Sequence, residues 1–176
     1  VTVKPKQSRF ILLVEDNEDD YVLIREMLRD VYSHGLQLDW VKTYEASIEA
    51  VCRLAHHVYL LDYRLGERDG IELLREAISK GCTAPIIFLT GLEVYEVDVE
   101  AMRWGAADFL VKAQMTGPAL ERAIRYALER ARNRDRIMRS ELELRRLSRQ
   151  LLTVQETERK HLAQDLHDSI GQSLAA

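Results

Sequence analysis

Short apolar runs that stop on an acid or a hydroxyl constrain this chain more than any other feature. Phe10-Ile-Leu-Leu-Val14 runs straight into Glu15-Asp16-Asn17, Val58-Tyr-Leu-Leu61 into Asp62, and Pro85-Ile-Ile-Phe-Leu89 into Thr90-Gly91. Runs this short and this uniformly apolar read as strands buried on both faces, as in a parallel sheet covered by helices. Helical spacing fills the gaps between them. It is carried by Tyr21, Ile24, Met27, Leu28 and Val31, closed by Gly35; by Ala46, Ile48, Val51, Cys52 and Leu54; by Ile71 to Ile78, closed by Lys80-Gly81; and by Val97 to Trp104. Leu36 to Val41 and Asp108 to Lys112 supply two further strands. Five alternations of strand and helix predict an α/β fold with a five-stranded, parallel, doubly wound sheet and right-handed crossovers.

In open sheets of this kind ligands bind outside the carboxyl ends of the strands. That rule gathers Glu15, Asp16, Asp62, Thr90 and Lys112 into one pocket. Acids at a strand end also cap the next helix, and Asn17 followed by Glu18-Asp19-Asp20 suits that humbler role. The later acid, hydroxyl and ammonium point further. Three carboxylates suit a magnesium-sized cation, which demands oxygen ligands and keeps several waters. A carboxylate beside such a cation can attack a phosphoryl group to form an acyl phosphate, while the cation spreads the charge of a loose transition state. Lys112 would then pair with one phosphoryl oxygen, and Thr90 would donate its hydroxyl to another.

Four motifs in this order resemble the receiver domain of response regulators: Val14-Glu15-Asp16-Asn17; Leu61-Asp62-Tyr63-Arg64-Leu65 with Asp69-Gly70; Leu89-Thr90-Gly91; and Gly105-Ala-Ala-Asp-Phe-Leu-Val-Lys112. The resemblance implies a flavodoxin-like sheet over residues 9–131, with residues 1–8 as a tail. It implies Asp62 as phosphoacceptor, and Glu15, Asp16, Asp62 and the main-chain carbonyl of Arg64 as ligands of Mg2+ or Mn2+. It further implies that Thr90 and Phe109 couple phosphorylation to the face built by the fourth helix, fifth strand and fifth helix. The chain departs from the family pattern in three places. Gly66 stands where the family usually has proline, Ala113 follows Lys112 where the family has Lys-Pro, and the switch aromatic is Phe109, which has no hydroxyl. A cis bond before Ala113 is disfavoured on cost. The competing readings are a receiver fold that takes no phosphate, and Phe109 and Trp104 as plain core aromatics.

From Thr116-Gly117-Pro118 onward no Pro or Gly recurs until Gly171, which predicts one continuous helix of about fifty residues. Its first turns, with Leu120, Ile124, Ala127 and Leu128, can cover the sheet as a fifth helix. Beyond them Ile137, Leu144, Leu147, Leu151 and Val154 continue a seam with coiled-coil spacing over residues 132–157. Arg139 with Glu143, and Glu141 with Arg145, are oppositely charged i,i+4 neighbours. Residues 158–176 carry Glu158-Arg159, Leu166-His167-Asp168 and Gly171-Gln172-Ser-Leu174, beside a stripe of Leu162, Leu166, Ile170 and Leu174. A lone helical His is usually a surface or interface residue. With these neighbours the segment resembles the dimerisation and phosphoacceptor helix of histidine kinases. That resemblance implies that His167 accepts phosphate from ATP with Asp168 as its base, and that Gln172 positions a water in a phosphatase reaction. No ATP-binding domain or second hairpin helix is visible, so the expectation is an N-terminal piece of a hybrid two-component protein. His34, His56, His57 and His161 lack such context.

Charge separates the two parts. Residues 1–116 hold 13 Lys and Arg against 20 Asp and Glu, a net of −7, whereas residues 117–176 hold 12 against 9, a net of +3. An overall −4 makes no case for a dedicated nucleic-acid binder, and Glu residues dilute the Arg-rich helix. Cys52 and Cys82 form no CxxC or zinc pattern and read as small core residues in a reducing compartment. With no apolar stretch of membrane length, a cytoplasmic protein is expected. The partners implied are a second copy through the long helix, an upstream phosphodonor and a downstream response regulator. The alternative is a dimeric adaptor that recruits an effector while His167 stays unphosphorylated.

Overall fold

The computed structural model describes residues 9–32, 35–91 and 100–174, leaving aside the side chains of residues 154, 157, 158 and 160–174. In chain order the elements are β1 (Arg9–Val14), α1 (Glu18–Val31), β2 (Leu36–Val41), α2 (Tyr44–Cys52) and β3 (Val58–Asp62). There follow the two-residue strands β4 (Arg64–Leu65) and β5 (Arg68–Asp69), then α3 (Gly70–Ser79) and β6 (Ile86–Thr90). A helical turn at residues 100–103, here α4, precedes β7 (Asp108–Val111) and α5 (Gly117–Leu174). Residues 97–99 of the expected fourth helix lie outside the described residues.

The five long strands form one parallel sheet in the order β2-β1-β3-β6-β7. Side chains alternate across a strand, so a run without polar residues feeds two cores at once. Ile11 and Leu13 join Val58, Leu60, Ile87 and Leu89 beneath α1 and the first turns of α5, where Ile24, Leu28, Leu120, Ile124 and Leu128 are buried. Leu12 and Val14 join Tyr59, Leu61, Ile86 and Phe88 on the other face, against Val51 of α2 and Leu73 and Leu74 of α3. This is the doubly wound α/β sandwich that the apolar runs predict, with the flavodoxin-like strand order that the resemblance implies. Burying each such Leu or Ile contributes about 1.5–3 kcal/mol.

Several local expectations need correcting. α2 ends at Cys52, and Leu54 takes a left-handed φ of 50°, exposed and outside the helix. Cys52 is itself exposed at the last position of α2, and Cys82, in the loop between α3 and β6, is half-buried against the α2–α3 core. Trp104 is exposed rather than a core aromatic, with the Arg75 guanidinium 4.3 Å above its ring. The β4–β5 hairpin was not foreseen, since two-residue strands have no readable period. Two histidines left without a role serve the fold. His57 Nδ1 accepts the Phe10 N–H at 3.1 Å, and His56 Nε2 lies 2.9 Å from Asp39 Oδ2.

The chain divides into two compact units, residues 1–132 and 133–176. Within the second, Ile137, Leu144, Leu147 and Leu151 are all exposed. The expected pairs Arg139–Glu143 and Glu141–Arg145 form no ion pair among the described residues, as befits long exposed side chains that gain little from holding one geometry. No described helix is long and apolar enough to cross a membrane.

The burial pattern sets the response to truncation along α5. Leu120→Ala should cost about 2–5 kcal/mol in urea denaturation, because Leu120 is fully buried. Leu142→Ala, at an exposed site, should stay within about 0.5 kcal/mol. Equal losses at the two positions would contradict this division of the helix.

Candidate functional site

In a sheet of order β2-β1-β3-β6-β7 the strand order reverses between β1 and β3. Chain segments leave those two strands in opposite directions, opening a crevice at their carboxyl ends. Glu15 and Asp16 leave β1 there, and Asp62 ends β3. One carboxylate oxygen from each of the three lies within 4.8 Å of the others. Such a set of hard oxygen donors fits a divalent cation of the magnesium class.

Lys112 closes the pocket from the edge of the sheet, in the turn directly after the edge strand β7. Its Nζ donates to Glu15 Oε2 at 2.7 Å and to Asp20 Oδ2 at 2.7 Å, and lies 3.0 Å from Asp62 Oδ1. An ammonium has three donors, and here three carboxylates surround it. Glu15 is fully buried, and burial is the main force pushing its carboxyl up to about 7; Asp62's charge adds to this, and Lys112 opposes it. Burial likewise raises Asp62, against the pull of Lys112, with Asp16 adding to the rise. Burial works against the Lys112 ammonium, but hydrogen bonds to Asp20 and Glu15 outweigh it and hold the proton on.

Local structure fixes these groups. Asn17 caps α1, its Oδ1 accepting the N–H of Asp19 at 2.8 Å and of Asp20 at 3.4 Å. The Asn17 N–H donates to Glu15 Oε1 at 3.2 Å, and the Trp40 indole N–H donates to the Glu15 carbonyl at 2.8 Å. Gly66 sits in the hairpin at φ +62°, and its N–H donates to Asp16 Oδ2 at 2.9 Å. Proline could neither adopt that φ nor make that bond. Gly70 answers a different demand. A Cβ there would lie 2.7 Å from the Asp62 carbonyl oxygen and 3.1 Å from that of Tyr63, so the start of α3 packs directly on the backbone that presents Asp62.

Residues 11–125 match the family model described as response regulator receiver domain. The chain belongs to that family. Its receiver resembles the transcriptional regulatory protein QseB of Escherichia coli O157:H7, at 34% identity over 103 residues, covering 58% of this chain and 45% of that protein. It also resembles the regulatory protein AtoC of Escherichia coli K12, at 30% identity, covering 57% of this chain and 22% of that protein. Matches thus span from about a fifth to just under half the length of these curated relatives. Among solved structures, the receiver domain of the sensor histidine kinase PA1611 from Pseudomonas aeruginosa, with magnesium coordinated in its active-site cleft, superposes with a TM-score of 0.61. It shares 27% identity and covers 69% of this chain and 98% of that one. Residues 158–176 match a second model, described as histidine kinase.

The receiver therefore brings together Glu15, Asp16, Asp62 and Lys112 as the sequence predicts. Thr90 is buried at the end of β6, and Phe109 lies half-buried in β7 against the α2–α3 core. Arg64 opens the β4–β5 hairpin. The side chains of His167, Asp168 and Gln172 lie outside the described residues, on a stretch that is helical in α5. Asp20 was missed, because its place in an acidic first turn reads as helix capping until the fold brings Lys112 to it.

Two outcomes follow from this geometry. Gly70→Ala should lower stability by about 1–3 kcal/mol and weaken Mg2+ binding measured by calorimetry, since the added methyl displaces the Asp62 backbone. Unchanged Mg2+ affinity would contradict that coupling. In EDTA, the raised Glu15 carboxyl gives stability that is fully present below its ordinary 4.5 and lost as pH rises through about 7. The midpoint of thermal unfolding should fall over that window, less so in Glu15→Gln. A wild-type curve no steeper than that of Glu15→Gln would overturn the assignment.

Proposed function

We propose that this receiver accepts a phosphoryl group on Asp62 and passes the signal along α5 to a histidine-kinase helix carrying His167. The observation that carries the reading is the meeting of Lys112 with Glu15 and Asp62 at 2.7 and 3.0 Å, beside a three-carboxylate cluster. Glu15, Asp16, Asp62 and the Arg64 carbonyl would hold Mg2+, or Mn2+ in its place. The bound cation would offset the negative charge that accumulates on the phosphoryl oxygens.

Asp62 attacks phosphorus through a carboxylate oxygen, and the new O–P bond forms as the bond to the donor's leaving group breaks. The leaving group departs with the electron pair. Lys112 turns its ammonium to a phosphoryl oxygen, and Thr90 gives its hydroxyl to another. Phe109, in the strand next to Thr90, then follows that movement toward the face formed by α4, β7 and α5. The arrangement is 1–8 tail, 9–131 receiver, 132–157 coiled-coil linker and 158–176 the start of the kinase helix, supported in its last part by the histidine-kinase match.

In this reading a homodimer forms through the exposed Leu and Ile of the linker, ATP binds a domain outside this chain, and Asp168 and Gln172 serve His167. An upstream histidine kinase or phosphotransfer protein charges Asp62, and a downstream response regulator receives the signal, in the cytoplasm.

The full-length natural protein, given radiolabelled ATP, should carry base-stable label that His167→Gln abolishes, at a level at least twofold different in Asp62→Asn. Label unchanged by Asp62→Asn would break the proposed coupling. Absence of label on His167 would leave a receiver-bearing adaptor instead.

A further inference from the structure

We infer that Asp20 is a positioning residue for phosphoryl transfer: it anchors Lys112 once the other two carboxylates around that ammonium are engaged elsewhere. This rests on the reading of Asp62 as acceptor.

The case begins with the ammonium's three partners, Glu15 and Asp20 at 2.7 Å and Asp62 at 3.0 Å. Glu15 and Asp62 belong to the three-carboxylate cluster suited to a cation, and Asp20 does not. When Asp62 gains its O–P bond and Glu15 turns to the cation, two of the three carboxylates change partner. Asp20 alone keeps its charge for Lys112, leaving the other ammonium protons free for phosphoryl oxygens.

Asp20 is built for a fixed position. It lies in the first turn of α1, where its own N–H is held by Asn17 Oδ1, and a carboxylate is favoured at a helix N-terminus. Its side chain is about one-third exposed, at 34%, while that of Lys112 is 16% exposed, so Asp20 is the solvent-facing end of the pair. Without Asp20 the ammonium still has Glu15 and Asp62, so the folded protein is left with no unpaired buried charge. An effect on transfer larger than the effect on folding is therefore the signature of positioning.

The test uses this chain with Mg2+ and acetyl phosphate, reading phosphate on Asp62 by intact mass over time. At saturating acetyl phosphate, Asp20→Ala should slow the transfer rate about tenfold, with Asp20→Asn in between because its amide oxygen still accepts a hydrogen bond. The Mg2+ concentration for half-maximal rate should change less than threefold, and the melting temperature should stay within a few degrees of wild type. Equal maximal rates in wild type and Asp20→Ala would overturn the inference while leaving Asp62 as acceptor. So would a loss confined to Mg2+ affinity, which would make Asp20 an accessory to the cation. A wild-type chain that takes no phosphate, or an Asp62→Asn chain that takes as much, would instead overturn the acceptor reading itself.

Discussion

One ammonium among acids is the interaction on which the rest of this receiver depends. Lys112 comes from the turn after the last strand, Glu15 from the end of the first, Asp62 from the end of the third and Asp20 from the first helix. No two of the elements that deliver them are consecutive except β1 and α1. A parallel sheet with its carboxyl ends aligned brings these distant residues to one point. Burying charges costs free energy unless each finds its partner, and a buried pair adds little net stability compared with apolar packing. The pocket is therefore maintained by the two apolar cores on either side of the sheet, and its strained electrostatics serve chemistry rather than folding. A cation and a phosphoryl group are the species that such an unbalanced cluster is suited to receive.

Much of the fold was legible because the strands are buried on both faces. Ile11 to Val14 and Val58 to Leu61 leave no polar residue to blur their ends, so the acids behind them could be assigned to strand termini. The rule that ligands meet at those termini places Glu15, Asp16, Asp62 and Lys112 together from the sequence alone. What stayed hidden depends on contacts made across the fold. Asp20 looks like any acid in a first helical turn, and nothing local marks the Lys112 that finds it ninety-two positions later. Gly66 reads as a missing proline, whereas the structure shows a positive φ and a main-chain donor to Asp16. Cys52 and Trp104 misled for the opposite reason, since composition assigns such residues to a core and only position within an element decides.

α5 joins two kinds of helix in one continuous element. Its first turns are held by the sheet through Leu120, Ile124 and Leu128, the tertiary burial that stabilises most helices. In the second unit the spacing of Ile137, Leu144 and Leu151 persists while the cover does not. A period kept without anything to bury it against is the pattern of a helix that pairs with another chain, which fits the proposed dimeric linker.

A crystal structure of this chain grown with Mg2+ and beryllofluoride tests the central claim most directly. The account predicts a cation touching the Glu15, Asp16 and Asp62 carboxylates, beryllofluoride on Asp62, and the Lys112 ammonium turned from Asp62 to a fluoride. Beryllofluoride absent from Asp62 at saturating concentration, or a cation bound away from those three acids, would contradict it.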